Sequence, residues 1–274
     1  MQEHRPQRAH LVPPILLGIA VSGKIVQQYD TSSLKMIISA AAPLSPDLEG
    51  RVQQVLSGCK IKQAWGMSEL SPIGTFTSDD AVRPGSVGQL PPSTYGKIIS
   101  IENQTSVGPG IEGELCIKGP QVMLGYENAE DKTAECLDSE GWIRTGDIAY
   151  YDEEGFFYIT DRIKELIKVR GFPVAPAELE HLLLQNEHVK DVAVIGVPCK
   201  QSGEVPRAYV VLQNGAISDE NMTAEEIKSW VKDRVAPAKR IEGGIVFVDA
   251  VPKTASGKIL RRLLREQFRK ESAI

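Results

Sequence analysis

The sequence has no pair of cysteines spaced C-x-x-C, no long basic tract, and no apolar run long enough to span a bilayer. Each absence excludes something. Cys59, Cys116, Cys136 and Cys199 are scattered, so neither a zinc site nor a dithiol redox centre is indicated, and the pattern suits reduced thiols in a cytosolic protein. With 31 lysines and arginines against 36 acids the net charge is −5, which gives no footing for a nucleic-acid partner. An anionic ligand must therefore be held by locally placed cations. The run LVPPILLGIAV follows a basic first ten residues, in the layout of a secretory signal. Pro13 and Pro14 interrupt it and no A-x-A site follows, so it is expected to form a buried strand–helix segment with no membrane span. No internal repeat or low-complexity segment appears.

What is present reads as a soluble globular protein. The chain has 274 residues, 42% of them apolar and 24% charged, enough for one large or two ordinary domains. LKMIISAAA (34–42) has strand length and suits a sheet covered on both faces, after a helical VSGKIVQQY. Ser45 is placed to cap a helix starting at Pro46, with Asp47 and Glu49 in the first turn. A short strand at KIKQAW completes an α/β layer. From about Gly85 the texture becomes β-rich, with strands at GELCIKG and FFYITD and a turn at DEEG (152–155) that uses Gly155. Beyond Asp161 the alternation describes an α+β domain. Pro176 starts a helix with Leu179, Leu182 and Leu183 on one face; VAVIGV, AYVVLQ and GIVFV are strands; TAEE (223–226) has capping-box spacing for a helix through Val235; and a basic helix starts near Lys258. The predicted division is 1–162 and 163–274.

Six phrases then occur in order: SAAAPLS (39–45), QAWGMSE (63–69), GELCIKGP (113–120), GWIRTGD (141–147), DRIKELIKVRGFPVAPAELE (161–180) and VPKTASGK (251–258). Together they resemble the carboxyl-terminal half of the adenylate-forming superfamily of acyl-CoA synthetases, luciferases and peptide-synthetase adenylation domains. The stretch 141–180 looks most like the 4-coumarate–CoA ligase and luciferase branch. The resemblance implies the end of an α/β large domain plus a β-rich subdomain, followed by a small mobile α+β domain. It implies an AMP-forming ligase that uses ATP, Mg2+ and coenzyme A: a carboxylic acid attacks the α-phosphate, and the coenzyme thiol then displaces AMP. Such chemistry requires charge neutralisation, in-line positioning and exclusion of water.

Residue by residue, the resemblance implies the following roles. Glu69 would coordinate magnesium, against the reading of a solvated surface acid. Ala41, Ala42 and Pro43, with Gly66 and Ser68, would border the nucleotide, and Trp65, in place of a usual tyrosine, would stack on adenine or else serve as a core aromatic. Asp147 would accept the ribose hydroxyls with Arg162 reaching the same sugar, unless the two form a structural salt bridge. Lys164 falls at the family's interdomain hinge. Lys168 belongs to the thioester-forming pose, and would share a side with Lys164 whether that segment is helix or strand. Arg170 and Gly171 would line the coenzyme A tunnel. Lys258 would bridge the acyl carboxylate and α-phosphate, at the head of a basic face (Arg261, Arg262, Arg265, Arg269) expected to be solvated. Ala40, Met67, Pro72 and Ile73 would contribute to an apolar acyl pocket suited to an aromatic propenoic or an aliphatic acid.

Departures carry weight too. The family's Gly-rich phosphate loop ending in P-K-G has no counterpart here, so the first half-reaction is expected to be impaired, and a partner supplying a complementary amino-terminal half is implied. GIAVSGKI (18–25) fits G-x-x-x-x-G-K but has Ile25 where Ser or Thr is required, and is set aside. Pro173 stands where ligases often carry glutamine. The carboxyl end, SAI (272–274), lacks the basic middle residue of a peroxisomal signal, which favours the cytosol with the peroxisome as the alternative. Competing readings are a luciferase-like oxidase, a carrier-loading adenylation enzyme, and a truncated non-catalytic paralogue acting as a binding or regulatory protein, or a fragment without independent function.

Overall fold

A computed structural model describes residues 1–213 and 220–272, so the last two residues of the SAI tail lie outside it. The chain forms two compact units, Met1–Ile159 and Thr160–Ile274. Among the described residues it is a mixed α/β protein with three sheets and seven α-helices.

The first unit begins with β1 (Arg8–His10), β2 (Met36–Ser39) and β3 (Lys60–Gly66), which run parallel, while β4 (Ile73–Phe76) returns antiparallel to β3. α1 (Pro13–Val21), α2 (Gly23–Val26) and α3 (Pro46–Val55) cover this sheet. The near-continuous apolar run of β2 is explained by that cover: Ile37 and Ile61 from the strands bury with Leu16 of α1 and Val52 of α3. The Ser45 cap forms as expected, its Oγ accepting the Leu48 amide at 3.2 Å. Asp47 and Glu49 lie in the first turn as expected, but Glu49 does not face water. It is buried against Gln63 and the Gly85 amide, and burial raises its pKa.

LVPPILLGIAV is only half as buried as its sequence suggests. It is helical from Pro13 and buries Leu16, yet Ile15, Leu17 and Val21 are exposed, because a helix apolar all round meets the sheet along one face only. The G-x-x-x-x-G-K string lies within α1 and α2.

A second sheet holds β5 (Tyr95–Ile99), β6 (Ser106–Val107), β7 (Gly113–Lys118), β8 (Ile143–Tyr151) and β9 (Phe157–Arg162) in the order β6–β5–β7–β8–β9, with α4 (Glu130–Cys136) beside β8. Its core is Ile98, Leu115, Ile117, Ile143 and Phe157. The DEEG turn forms as read, with the Gly155 amide on Asp152 O at 2.9 Å and Gly155 at φ +79°.

The second unit carries β10 (Ile167–Val169), β11 (Phe172–Val174), β12 (Val189–Cys199), β13 (Gly203–Leu212) and β14 (Ile245–Phe247), ordered β11–β10–β13–β12 with β14 parallel to β13. α5 (Pro176–Leu183) and α6 (Glu220–Lys232) pack Leu179, Leu183, Ile227 and Val231 against Val192 and Val194. Ile195 and Tyr209, on the alternate positions of the strands, pack with Leu264 of α7 (Arg261–Glu271). Two predicted helix starts shift. α6 is already under way at Thr223, which is buried, so TAEE is not a capping box, and the helix ends at Lys232 rather than Val235. α7 starts three residues after Lys258, which leaves that lysine in a turn. No helix among the described residues is long and apolar enough to cross a membrane.

Candidate functional site

In the first unit the candidate residues gather at the carboxyl ends of β2 and β3. The register pairs Ser39 with Gln63, so residues 40–43 leaving β2 and residues 65–69 ending β3 emerge side by side. Ligands of open parallel sheets bind outside such strand ends. Ala41 sits at φ +74°, a left-handed conformation that costs a non-glycine residue energy and marks the bend as specified by its surroundings. The Gln63 amide nitrogen, donating to Leu44 O at 3.1 Å, fastens the far end of this bend. Ala40 and Ala42 are half-buried, and Pro43 is exposed.

Two predicted nucleotide residues meet although they come from different sheets. Trp65 Nε1 donates to Asp147 Oδ2 at 2.8 Å, and Asp147, on β8, is only 3% exposed. Asp147 is set in place by its own amide, which donates to Thr145 Oγ1 at 3.1 Å. The Trp65 ring lies over Gly74 of β4, where an added methyl would come within 2.3 Å of it, so the indole needs a glycine there. Trp65 therefore packs against the core cluster and also delivers a polar N–H to Asp147.

Glu69 lies in a short 3-10 turn, Ser68–Leu70, in which Ser68 is exposed. Its Oε1 accepts a hydrogen bond from Tyr126 Oη at 2.7 Å, and its backbone oxygen accepts the Met123 amide at 2.9 Å. That bond to a carboxylate, with burial and the Glu69 charge, pushes the Tyr126 hydroxyl up to about 12. Cys136 is close by, its thiol pushed up by burial and then by the Glu69 charge. Nothing in the sequence reading pointed to Tyr126, which is 57 residues from its partner. No group of three or more His, Cys, Asp or Glu suited to a metal gathers among the described residues. A single carboxylate fits magnesium, which keeps its waters and takes substrate phosphates as further ligands. Of the expected acyl-pocket residues, Met67 is half-buried against the core, Pro72 and Ile73 are exposed, and Gly66 pairs with Ile73, so the set surrounds the same strand ends.

In the second unit Arg162 ends β9, and Lys164 stands exposed in the 3-10 turn Ile163–Glu165. Lys168 is exposed on β10 after a bend at Leu166, so the two lysines share neither one helix nor one strand and the expected common side is lost. Arg170 (φ +51°) and Gly171 (φ +84°) form a two-residue turn with both residues left-handed, the form that matches strand twist in a tight hairpin. Ser202 holds this turn: its backbone oxygen accepts the Arg170 amide at 2.7 Å and its hydroxyl accepts Arg170 Nε at 3.2 Å. Pro173 is exposed opposite Lys168.

Lys258 occupies a closed turn in which its amide donates to Thr254 Oγ1 at 3.1 Å and its carbonyl accepts the Thr254 amide at 2.9 Å. Lys253, at the foot of that turn, pairs with Asp191 at 2.7 Å, near one end of β12. The Lys168 amide donates to Glu204 Oε2 at 3.0 Å, and Glu204 pairs with Pro198 near the other end. These anchors are seven residues apart along β12, about 23 Å at the usual strand rise. The basic face of α7 is not uniformly solvated. Arg262 and Arg269 are exposed, but Arg261 reaches inward to both oxygens of Glu180 (2.8 and 2.7 Å) and Arg265 pairs with Glu165.

Comparison with known proteins agrees with this organisation. The family pattern described as AMP-binding enzyme matches residues 1–127, and that of the AMP-binding enzyme C-terminal domain matches residues 178–258. A probable 4-coumarate–CoA ligase 3 of Dictyostelium discoideum is 43% identical over 267 residues, 97% of this chain and 48% of its own length. A luciferin 4-monooxygenase of Nipponoluciola cruciata is 41% identical over 273 residues, covering 100% of this chain and 49% of its own. The crystal structure of ATP-bound MatB from Rhodopseudomonas palustris superposes with a TM-score of 0.88 at 29% identity, over 97% of this chain and 51% of that one. The chain thus spans about half the length of the curated relatives it matches. With both of its domain patterns present in order, the chain belongs to the AMP-binding enzyme family of adenylate-forming proteins.

Proposed function

We propose that this chain carries the part of an AMP-forming acyl-CoA ligase that binds the adenylate and forms the thioester. The observation that carries the reading is the meeting of Trp65 and Asp147 beside the strand-end bend at residues 40–43, which puts an aromatic face, a buried carboxylate and a close backbone approach in one place. In this reading Ala41, Ala42, Pro43, Gly66 and Ser68 border the nucleotide, Asp147 and Arg162 hold the ribose, and Glu69 supplies the metal carboxylate. Magnesium, when bound, neutralises charge across the phosphate oxygens. Lys258 serves adenylation and Lys168 serves thioester formation, with Lys164 as the hinge and Arg170 and Gly171 toward coenzyme A. Tethering of the two lysine-bearing segments near opposite ends of β12 supports a division of labour between the half-reactions. The acid is an aromatic propenoate or an aliphatic chain.

The test supplies a pre-made acyl adenylate and coenzyme A and follows thioester by mass spectrometry. Acceleration over buffer, reduced about a hundredfold in Lys168→Ala and little changed in Lys258→Ala, is expected. No acceleration by the wild-type chain rejects the reading. The 41% identity to a luciferin 4-monooxygenase favours one alternative second step, oxidation of the adenylate, which oxygen uptake with the same adenylate would reveal.

A further inference from the structure

The bond from Tyr126 to Glu69 constrains any cation that Glu69 holds, and the inference drawn from it rests on the proposed metal role of Glu69. Tyr126 is 41% exposed, yet it is fastened at several points. Its amide donates to Thr133 Oγ1 at 2.9 Å, and the Thr133 hydroxyl passes on to Ala129 O at 3.1 Å, which ties the loop to the start of α4. Two residues before Gly125, the Met123 amide grips the Glu69 backbone oxygen. The same loop thus fixes the main chain of Glu69 and, through the phenol, one oxygen of its carboxylate. Oε1 is committed to Tyr126, whereas Oε2 has no hydrogen-bond partner among the described residues.

A carboxylate held this way favours binding a cation through its one unshared oxygen. Magnesium is small, insists on octahedral geometry and retains water, so one carboxylate oxygen suffices for it. Calcium takes six to eight oxygens at longer distance and gains from a carboxylate bound through both. We propose that Tyr126 is a specificity-determining residue: by occupying Oε1 it keeps Glu69 a single-oxygen ligand and sets a preference for Mg2+ over Ca2+. Phenylalanine at this position would keep the ring and release the oxygen.

The experiment uses Mn2+ as the probe, followed by electron paramagnetic resonance on the full chain, with ATP and without it. Bound Mn2+ is displaced by Mg2+ or by Ca2+ in the wild type, Tyr126→Phe, Tyr126→Ala and Glu69→Gln. In the wild type Mg2+ displaces at the lower concentration, and Glu69→Gln loses the Mn2+ site. Both Tyr126 variants shift the Mg2+ to Ca2+ ratio toward calcium by about tenfold, the scale of one hydrogen bond to a charged group. An unchanged ratio, with the affinities for both ions falling together, overturns the proposal, because Tyr126 would then only support the loop. Mn2+ that fails to bind in either condition, or binds Glu69→Gln as well as the wild type, overturns it equally, because Glu69 would hold no cation. A shifted ratio in a chain that makes no thioester sustains the cation preference and removes the ligase reading alone.

Discussion

Trp65 and Asp147 are 82 residues apart in sequence and 2.8 Å apart in space, indole nitrogen to carboxylate oxygen. The bond places a hydrogen-bond donor against a carboxylate that is almost wholly withdrawn from water. Trp65→Phe keeps an aromatic surface over Gly74 but removes that donor. It is expected to destabilise the chain by about 1–2 kcal/mol, the cost of depriving a buried polar group of one partner. The midpoint of urea unfolding measures this, and an unchanged midpoint would show that the indole N–H contributes nothing.

The left-handed residues give a pair of opposite expectations. Ala41→Gly relieves a conformation that an L-residue adopts at a cost, and should raise stability by roughly 1 kcal/mol. Gly171→Ala has open space around the new methyl but must hold φ +84°, and should lose about as much. Thermal melts of the two variants beside the wild type decide the matter. Gly171→Ala should also raise the coenzyme A concentration needed for half-maximal thioester formation, if the proposed tunnel role holds.

Glu180 and Arg261 form a pair whose side chains are only 10% and 15% exposed. Breaking it from one side strands a partner in the interior, so Glu180→Gln should cost about 3 kcal/mol. Replacing both with apolar residues of similar bulk should recover much of that loss. Denaturant titrations of the single and double variants, read as a cycle, test it; a double variant no better than the single would contradict the expectation.

Glu49 predicts a pH dependence. Burial outweighs the hydrogen bonds from Gly85 and Gln63 and raises its folded-state pKa above the unfolded value. The folded chain therefore holds this proton more tightly than the unfolded chain. The associated stability is fully present below the unfolded pKa and is lost as pH rises through the folded one. Glu49→Gln does not titrate, so the wild type should lose stability relative to this variant as pH increases. Melting temperatures of both proteins across the acid-to-neutral range supply the comparison, and a constant difference would refute it.

How much of this was readable from sequence depends on the span of each interaction. Ser45 caps α3 through an amide three residues away, so a local pattern sufficed. The same kind of pattern misled at Thr223, because S/T-x-x-E spacing carries no information on whether a helix has already begun. The strands β2, β3, β7, β12 and β13 were visible in their apolar runs, whereas β1, β4, β5, β6, β10 and β11 were not read as strands, and the grouping of residues 40–43 with 65–69 was implied only by the family resemblance. Tyr126 was not visible, being one aromatic residue in a polar loop whose partner lies 57 residues earlier. Nor were the inward turns of Arg261 and Arg265, whose acids lie 81 and 100 residues away. A helix carrying four arginines looks the same in sequence whether its acids face it or water does.

The antiparallel pair β12 and β13 also limits how this architecture can vary. Side chains alternate between the α5 and α6 face and the α7 face, so deleting a single residue from a strand would exchange the two sets beyond the cut. Viable insertions and deletions come in twos, and each moves one tether relative to the other by about 7 Å. Reach between the two ammonium groups is therefore adjustable only in coarse increments, and finer tuning must come from the loops that carry them.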